Sequence, residues 1–140
     1  TPAHQDHPNN QGTEDLYASW IPLMPCPQTK GSLAVLSGSH RLGLLPREYS
    51  LGAGHRRCIL DDRHRELAWV SSDFELGDIL IFHSLTVHKS LENQTASMRI
   101  SVDYRFQREG EKMSRVCTRP HFSLDSWERI YRNWQMAIFR

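Results

Sequence analysis

Apolar residues along this chain fall in short runs cut by turn residues, the pattern of an all-β sandwich or barrel. Residues 16–23 (LYASWIPL) alternate loosely and stop at Pro22 and Pro25. Residues 32–36 (SLAVL) predict a short strand between Lys30-Gly31 and Ser37-Gly38-Ser39, and residues 68–71 (AWVS) predict another. Gly77-Asp78 turns the chain into residues 79–83 (ILIFH), whose unbroken apolar run reads as a fully buried strand. Residues 40–67, rich in Gly, Arg and His, are expected to form a long irregular loop, functional or mobile.

The clearest alternation is residues 98–106 (MRISVDYRF). Strand side chains alternate between faces, so Arg99, Ser101, Asp103 and Arg105 share one face and Ile100, Val102, Tyr104 and Phe106 the other. Alternation alone leaves two placements open: a polar face in water, or one turned into a polar pocket inside a barrel. The chain ends differently. Asp125 is a plausible N-cap with Glu128 three residues on, and Trp127, Ile130, Tyr131, Trp134 and Ile138 trace one apolar helical stripe. That helix is expected to pack against the outside of the sheet.

Composition narrows the function. A chain of 140 residues without repeats or linkers reads as one domain, residues 1–140. Lys+Arg 17 against Asp+Glu 16 gives a formal charge of +1, no electrostatic case for nucleic acid. No apolar stretch approaches the roughly 18 residues of a membrane span. Cys26, Cys58 and Cys117 are odd in number and include no C-x-x-C pair, so a reduced, cytoplasmic, soluble setting is expected. The chain opens Thr1-Pro2-Ala3-His4, with neither Met nor a signal-peptide pattern, and is expected to be the later part of a longer polypeptide.

Eight histidines are an excess for this length. On an extended strand His4 and Asp6 of His4-Gln5-Asp6 would point to the same face, while His7 would face away. A third ligand would come from far along the chain, with His83 and His88 as candidates. Two His and one carboxylate form the facial triad of non-haem Fe(II) oxygenases, leaving three positions for substrates. Arg99 needs an anion, which a small dicarboxylic co-substrate would supply bidentately; Asp103 is the local alternative. His40, His55, His64 and His121 read as surface or hydrogen-bonding residues.

Taken together, His4-Gln5-Asp6, the run from Gly31 to His40, Gly77-Asp78, His88-Lys89-Ser90 with Asn93, and Arg99-Ile100-Ser101 resemble the phytanoyl-CoA dioxygenase family of Fe(II)/2-oxoglutarate oxygenases. The resemblance runs from residue 4 to about residue 106. It departs at Ser37 and Glu92, where many members carry Pro, and in lacking the long stretch that usually precedes the His–x–Asp motif. It implies a mainly β fold, the double-stranded β-helix (jelly roll, cupin-like) with a flanking C-terminal helix. It also implies His4, Asp6 and His88 as iron ligands and Arg99 on the distal carboxylate of 2-oxoglutarate. Ser101, Ser90 and Trp20 would line that pocket, with no catalytic group beyond the metal centre.

The expected cofactors are Fe(II), 2-oxoglutarate and O2, and the expected partner is a small-molecule substrate, with no nucleic acid or membrane. The expected reaction is hydroxylation of a C–H bond with release of succinate and CO2. In related halogenases a small residue replaces the carboxylate, so Asp6 argues against halogenation. The rivals are a metal-binding jelly roll with a hydrolytic or isomerising role, and a non-catalytic relative. His55, Arg56, Arg57, Arg63 and Arg65 could attract an anionic substrate, but a solvated basic loop is the expected reading.

Overall fold

The computed structural model describes residues 1–51, 56–120 and 124–134. His55, His121 and Ile138 lie outside them. Strands β1 (Tyr17–Pro22), β6 (Leu80–His83) and β8 (Ser101–Phe106) form one antiparallel sheet in the order β6-β1-β8. Strands β2 (Leu33–Leu36), β5 (Trp69–Val70) and β7 (His88–Ser90) form a second, in the order β5-β2-β7. Between β2 and β5, the hairpin of β3 (Arg47–Tyr49) and β4 (Arg56–Cys58) and the one-turn helix α2 (Asp62–Arg65) replace the irregular loop expected there. The architecture is the mainly β jelly roll that the sequence predicts.

Two apolar clusters explain the layering. Ala18 and Trp20 of β1, Phe82 of β6 and Leu33 of β2 pack with Cys26 between the sheets. Leu36 joins Val87 and Leu45 in a separate cluster, with Cys58, Leu60 and Leu67 against it. Leu33 and Leu36 stand three apart on one strand and so face opposite ways, which lets β2 carry core on both sides. Gly31, just before β2, sits at φ +82°, and an added Cβ would meet the Leu91 carbonyl oxygen at 2.8 Å. Only glycine supplies both that backbone angle and that close approach.

Three sequence expectations fail here. Residues 79–83 are not fully buried, since Ile79 is exposed and Ile81 is 64% exposed. The reason is position: β6 is an edge strand with one face uncovered by the described residues. The C-terminal helix α3 (Trp127–Tyr131) is capped by Ser126, whose Oγ accepts from Arg129 N, rather than by Asp125. Its Trp127 and Tyr131, followed by Trp134, stack on one another and stay exposed rather than burying on the sheet. No helix of the described residues is long and apolar enough to cross a membrane.

Candidate functional site

The first His–x–Asp segment is not the regular strand expected. His4 pairs antiparallel with His88, each donating its backbone N–H to the other's carbonyl at 3.0 Å. Asp6 has helical backbone angles and opens helix α1 (His7–Asn10). The chain therefore turns from strand to helix between the two residues, and that turn brings the side chains together: His4 Nε2 lies 3.8 Å from Asp6 Oδ1. His88 Nε2 lies 3.7 Å from the same oxygen. His4, Asp6 and His88 form a cluster whose ligand atoms lie within 4.8 Å of one another.

The Gln5 side chain explains why the segment stays in place. It is buried, donating to Leu85 O at 2.7 Å and Gly43 O at 2.9 Å while accepting from Leu45 N at 2.9 Å. Asp6 N donates to Ser84 O, and Cys58 N donates to Ala3 O. One residue between two candidate ligands thus joins the start of the chain, the loop after β2 and the β6–β7 connection.

The rings are oriented by backbone carbonyls. His4 Nδ1 lies 2.8 Å from Pro2 O, and His88 Nδ1 lies 3.0 Å from Thr86 O. A carbonyl oxygen only accepts, so each Nδ1 carries a proton, which leaves Nε2, turned toward Asp6, as the ring atom available to a metal. Burial, reinforced by the neighbouring His4, holds His88 well below the usual imidazole range and keeps it neutral. Two imidazole nitrogens and one buried carboxylate are a donor set that fits a divalent transition metal.

Strand β8 settles which of its faces is inward. Ala18 pairs with Arg105 and Trp20 with Asp103, so the polar face lies on the side of the buried Ala18 and Trp20, with Arg99, Ser101 and Arg105 half-buried and Asp103 still exposed. Tyr104 and Phe106 are left outside, more than half exposed. Arg99, just before β8, donates to Ser101 Oγ at 3.3 Å and Ser90 Oγ at 3.4 Å and lies over the Trp20 ring, 5.5 Å from its centroid. Arg99, Ser101, Ser90 and Trp20 therefore come together. No carboxylate among the described residues is within ion-pair distance of Arg99, Asp103 included, so its charge is left for an outside anion.

His88 and Ser90 stand two apart on β7 and share a face, one at the cluster and one at Arg99. His83 goes elsewhere, beside Tyr17 and His40 with Asp15 3.9 Å away. His64, expected as a surface or core hydrogen-bonding residue, is the latter: it is buried at 1% exposure against Asp61, whose Oδ1 is 2.5 Å from its Nδ1. Sequence reasoning missed Arg105 altogether as a site residue. Its Nη2 lies 2.8 Å from Asp6 Oδ2, and the signal was its place on the polar face of residues 98–106. A narrow cleft of about 10 Å³ beside His4 is lined by Gln5, Arg47, Arg56, Arg57 and Cys58.

Residues 1–101 match the phytanoyl-CoA dioxygenase (PhyH) family. The chain belongs to the PhyH family. Over 117 residues it is 38% identical to 1-deoxypentalenic acid 11-beta-hydroxylase of Streptomyces arenae, covering 76% of this chain and 41% of that enzyme. It is 30% identical to human peroxisomal phytanoyl-CoA dioxygenase over 110 residues, covering 75% and 32%. This PhyH-family chain thus spans about two fifths or less of the length of these relatives. Among solved structures it is similar to the epimerase SnoN in complex with Fe3+, alpha ketoglutarate and nogalamycin RO. The TM-score is 0.59 at 23% identity, over 74% of this chain and 40% of that one. The non-heme monooxygenase ThoJ gives 0.58 at 22%, over 74% and 38%. At such identities the structural likeness carries the fold.

Proposed function

We propose that this PhyH-family protein is an Fe(II)- and 2-oxoglutarate-dependent dioxygenase that hydroxylates a C–H bond of a small organic substrate. The balance is one O2 and one 2-oxoglutarate consumed, with one oxygen atom delivered to substrate, one to succinate, and CO2 released. The observation that carries this reading is the paired orientation of His4 and His88, each Nδ1–H held by a carbonyl and each Nε2 aimed at Asp6 Oδ1. Bound there, Fe(II) supplies O2 activation coupled to decarboxylation of the co-substrate. Arg99, supported by Ser90 and Ser101 and backed by Trp20, binds the distal carboxylate of 2-oxoglutarate and orients it. Phe82, packed against the His88 ring, keeps water from that side of the site.

For the substrate we read an organic anion. The similar Streptomyces enzyme is named as the hydroxylase of an acid, and the human relative as a dioxygenase of an acyl-CoA. In support, Arg47, Arg56 and Arg57 edge the cleft beside His4, and among them only Arg57 has an ion-pair partner among the described residues, Glu48 at 2.7 Å. We read the protein as cytoplasmic and soluble because all three cysteines are free. The near-neutral charge supports no nucleic-acid role.

The test is anaerobic addition of Fe(II) and 2-oxoglutarate, which should give a weak visible charge-transfer band, followed by succinate measurement on admitting O2. His88→Ala and Arg99→Ala should each remove the band. A band that survives both variants unchanged, or its absence from the parent protein, refutes the assignment in favour of a metal-binding jelly roll without redox chemistry.

A further inference from the structure

Asp6 presents its two carboxylate oxygens to different neighbours. Oδ1 faces the Nε2 atoms of His4 and His88, at 3.8 and 3.7 Å. Oδ2 faces Arg105 Nη2 at 2.8 Å. The contact is ionic: its angles fall short of a hydrogen bond, and Oδ2 has no other partner among the described residues. Arg105 reaches it from β8, directly across from Ala18, a side chain small enough to leave the guanidinium room to cross the interior. Its Nη1 donates to Tyr104 O at 3.2 Å and lies 4.0 Å from Asp103 Oδ1. The guanidinium is thus braced by its own strand while it holds Asp6.

We infer that Arg105 is a positioning residue that holds Asp6 to single-oxygen coordination. The inference rests on the metal-centre reading above. An octahedral ion with three protein donors keeps three positions open. A chelating co-substrate takes two and O2 needs the third. Were Asp6 to turn and offer both oxygens, only two positions would remain, and the chelate would fill them. A guanidinium on Oδ2 prevents that turn, because the carboxylate would have to leave a buried ion pair to make it. Arg99 and Arg105, six residues apart on one face, then have separate tasks: one binds the co-substrate, the other preserves the vacancy beside it.

The test uses Co(II) as probe, titrated anaerobically into the protein and followed by its visible d–d absorption, with melting of the metal-free protein measured in parallel. Variants are Arg105→Gln, which keeps a donor but removes the cation, Arg105→Lys, which keeps the cation, and His88→Ala. Arg105→Gln should change the Co(II) d–d band, as Asp6 offers its second oxygen to the ion, without a matching fall in the metal-free melting temperature. Arg105→Lys should restore the parent band. Because a guanidinium also repels a cation, tighter binding by Arg105→Gln with the parent band would overturn the inference, showing that Arg105 only competes with the ion. An unchanged band, or a change that tracks metal-free stability, would overturn it too. Co(II) binding that survives His88→Ala would instead overturn the metal-centre reading itself.

Discussion

The two ends of the interior site are built on different terms. At one end His4, Asp6 and His88 are buried or nearly so, their rings aimed by Pro2 and Thr86 carbonyls and their backbone held by reciprocal hydrogen bonds. At the other, Arg99 is half-buried and rests on two hydroxyls at 3.3 and 3.4 Å, near the limit of a hydrogen bond. The first end has its electrostatics arranged before any ligand arrives. The second has a cation with no carboxylate within ion-pair distance among the described residues, so an anion is needed to complete it. A resident ion suits the first, and a co-substrate that must leave each cycle suits the second.

The harshest way to break this comparison is His88→Ala, which should abolish metal binding and succinate formation; isothermal titration with Mn(II) and a turnover assay check it. Gln5→Ala comes next. It strands Leu45 N and the Leu85 and Gly43 carbonyls in a buried place, at a cost of about 3 kcal/mol in stability. Urea denaturation of the metal-free protein reads it, and an effect under about 1 kcal/mol would mean that the first end is less fixed than its hydrogen bonds indicate. Arg99→Met should raise KM for 2-oxoglutarate roughly 10- to 100-fold, as expected for a lost charge-assisted contact, while Mn(II) affinity and melting temperature hold. A large fall in Mn(II) affinity would merge the two ends into one unit.

The smallest expected effect lies away from both ends. Burial lowers the His83 pKa, with His40 and His7 pushing the same way and Asp15 opposing. The neutral ring is therefore favoured on folding. Stability from His83 is complete above the unfolded imidazole value of about 6.5 and is lost as pH falls through that value toward the folded one. His83→Gln should flatten the acid side of the stability profile by less than about 1 kcal/mol, measured by denaturation from pH 8 to pH 5.

How far the sequence carried differs between these regions for physical reasons. The strands of the two sheets were legible because period-2 alternation and turn residues are local. The convergence of His4 with Asp6 was anticipated from strand geometry, whereas the real cause is a strand-to-helix turn, which no periodicity reports over three residues. The alternation of residues 98–106 separated the faces correctly, but which face turned inward depended on pairing with β1, a contact some eighty residues away in the chain. Arg105 was visible as a polar-face residue but not as the partner of Asp6. His64 read as either a surface or a core hydrogen-bonding residue, and the choice stayed open because Asp61, its partner, reads as an ordinary loop residue beside basic neighbours. The exposed Ile81 is the converse case: hydrophobicity told of a need for cover, not of what provides it.

The reciprocal backbone pair between His4 and His88 also bears on when this site comes into being. Gln5 and Leu85, which lock the same junction, are separated by 80 positions. Joining such distant stretches carries a loop-closure cost that local contacts do not, so we expect the junction to form on the late, native-like side of the folding barrier. A divalent ion held across it would lengthen the lifetime of the folded state by slowing unfolding, and would leave the rate of folding nearly unchanged. The centre would act as a clasp fastened last, guarding the fold against opening during the lifetime of each bound ion.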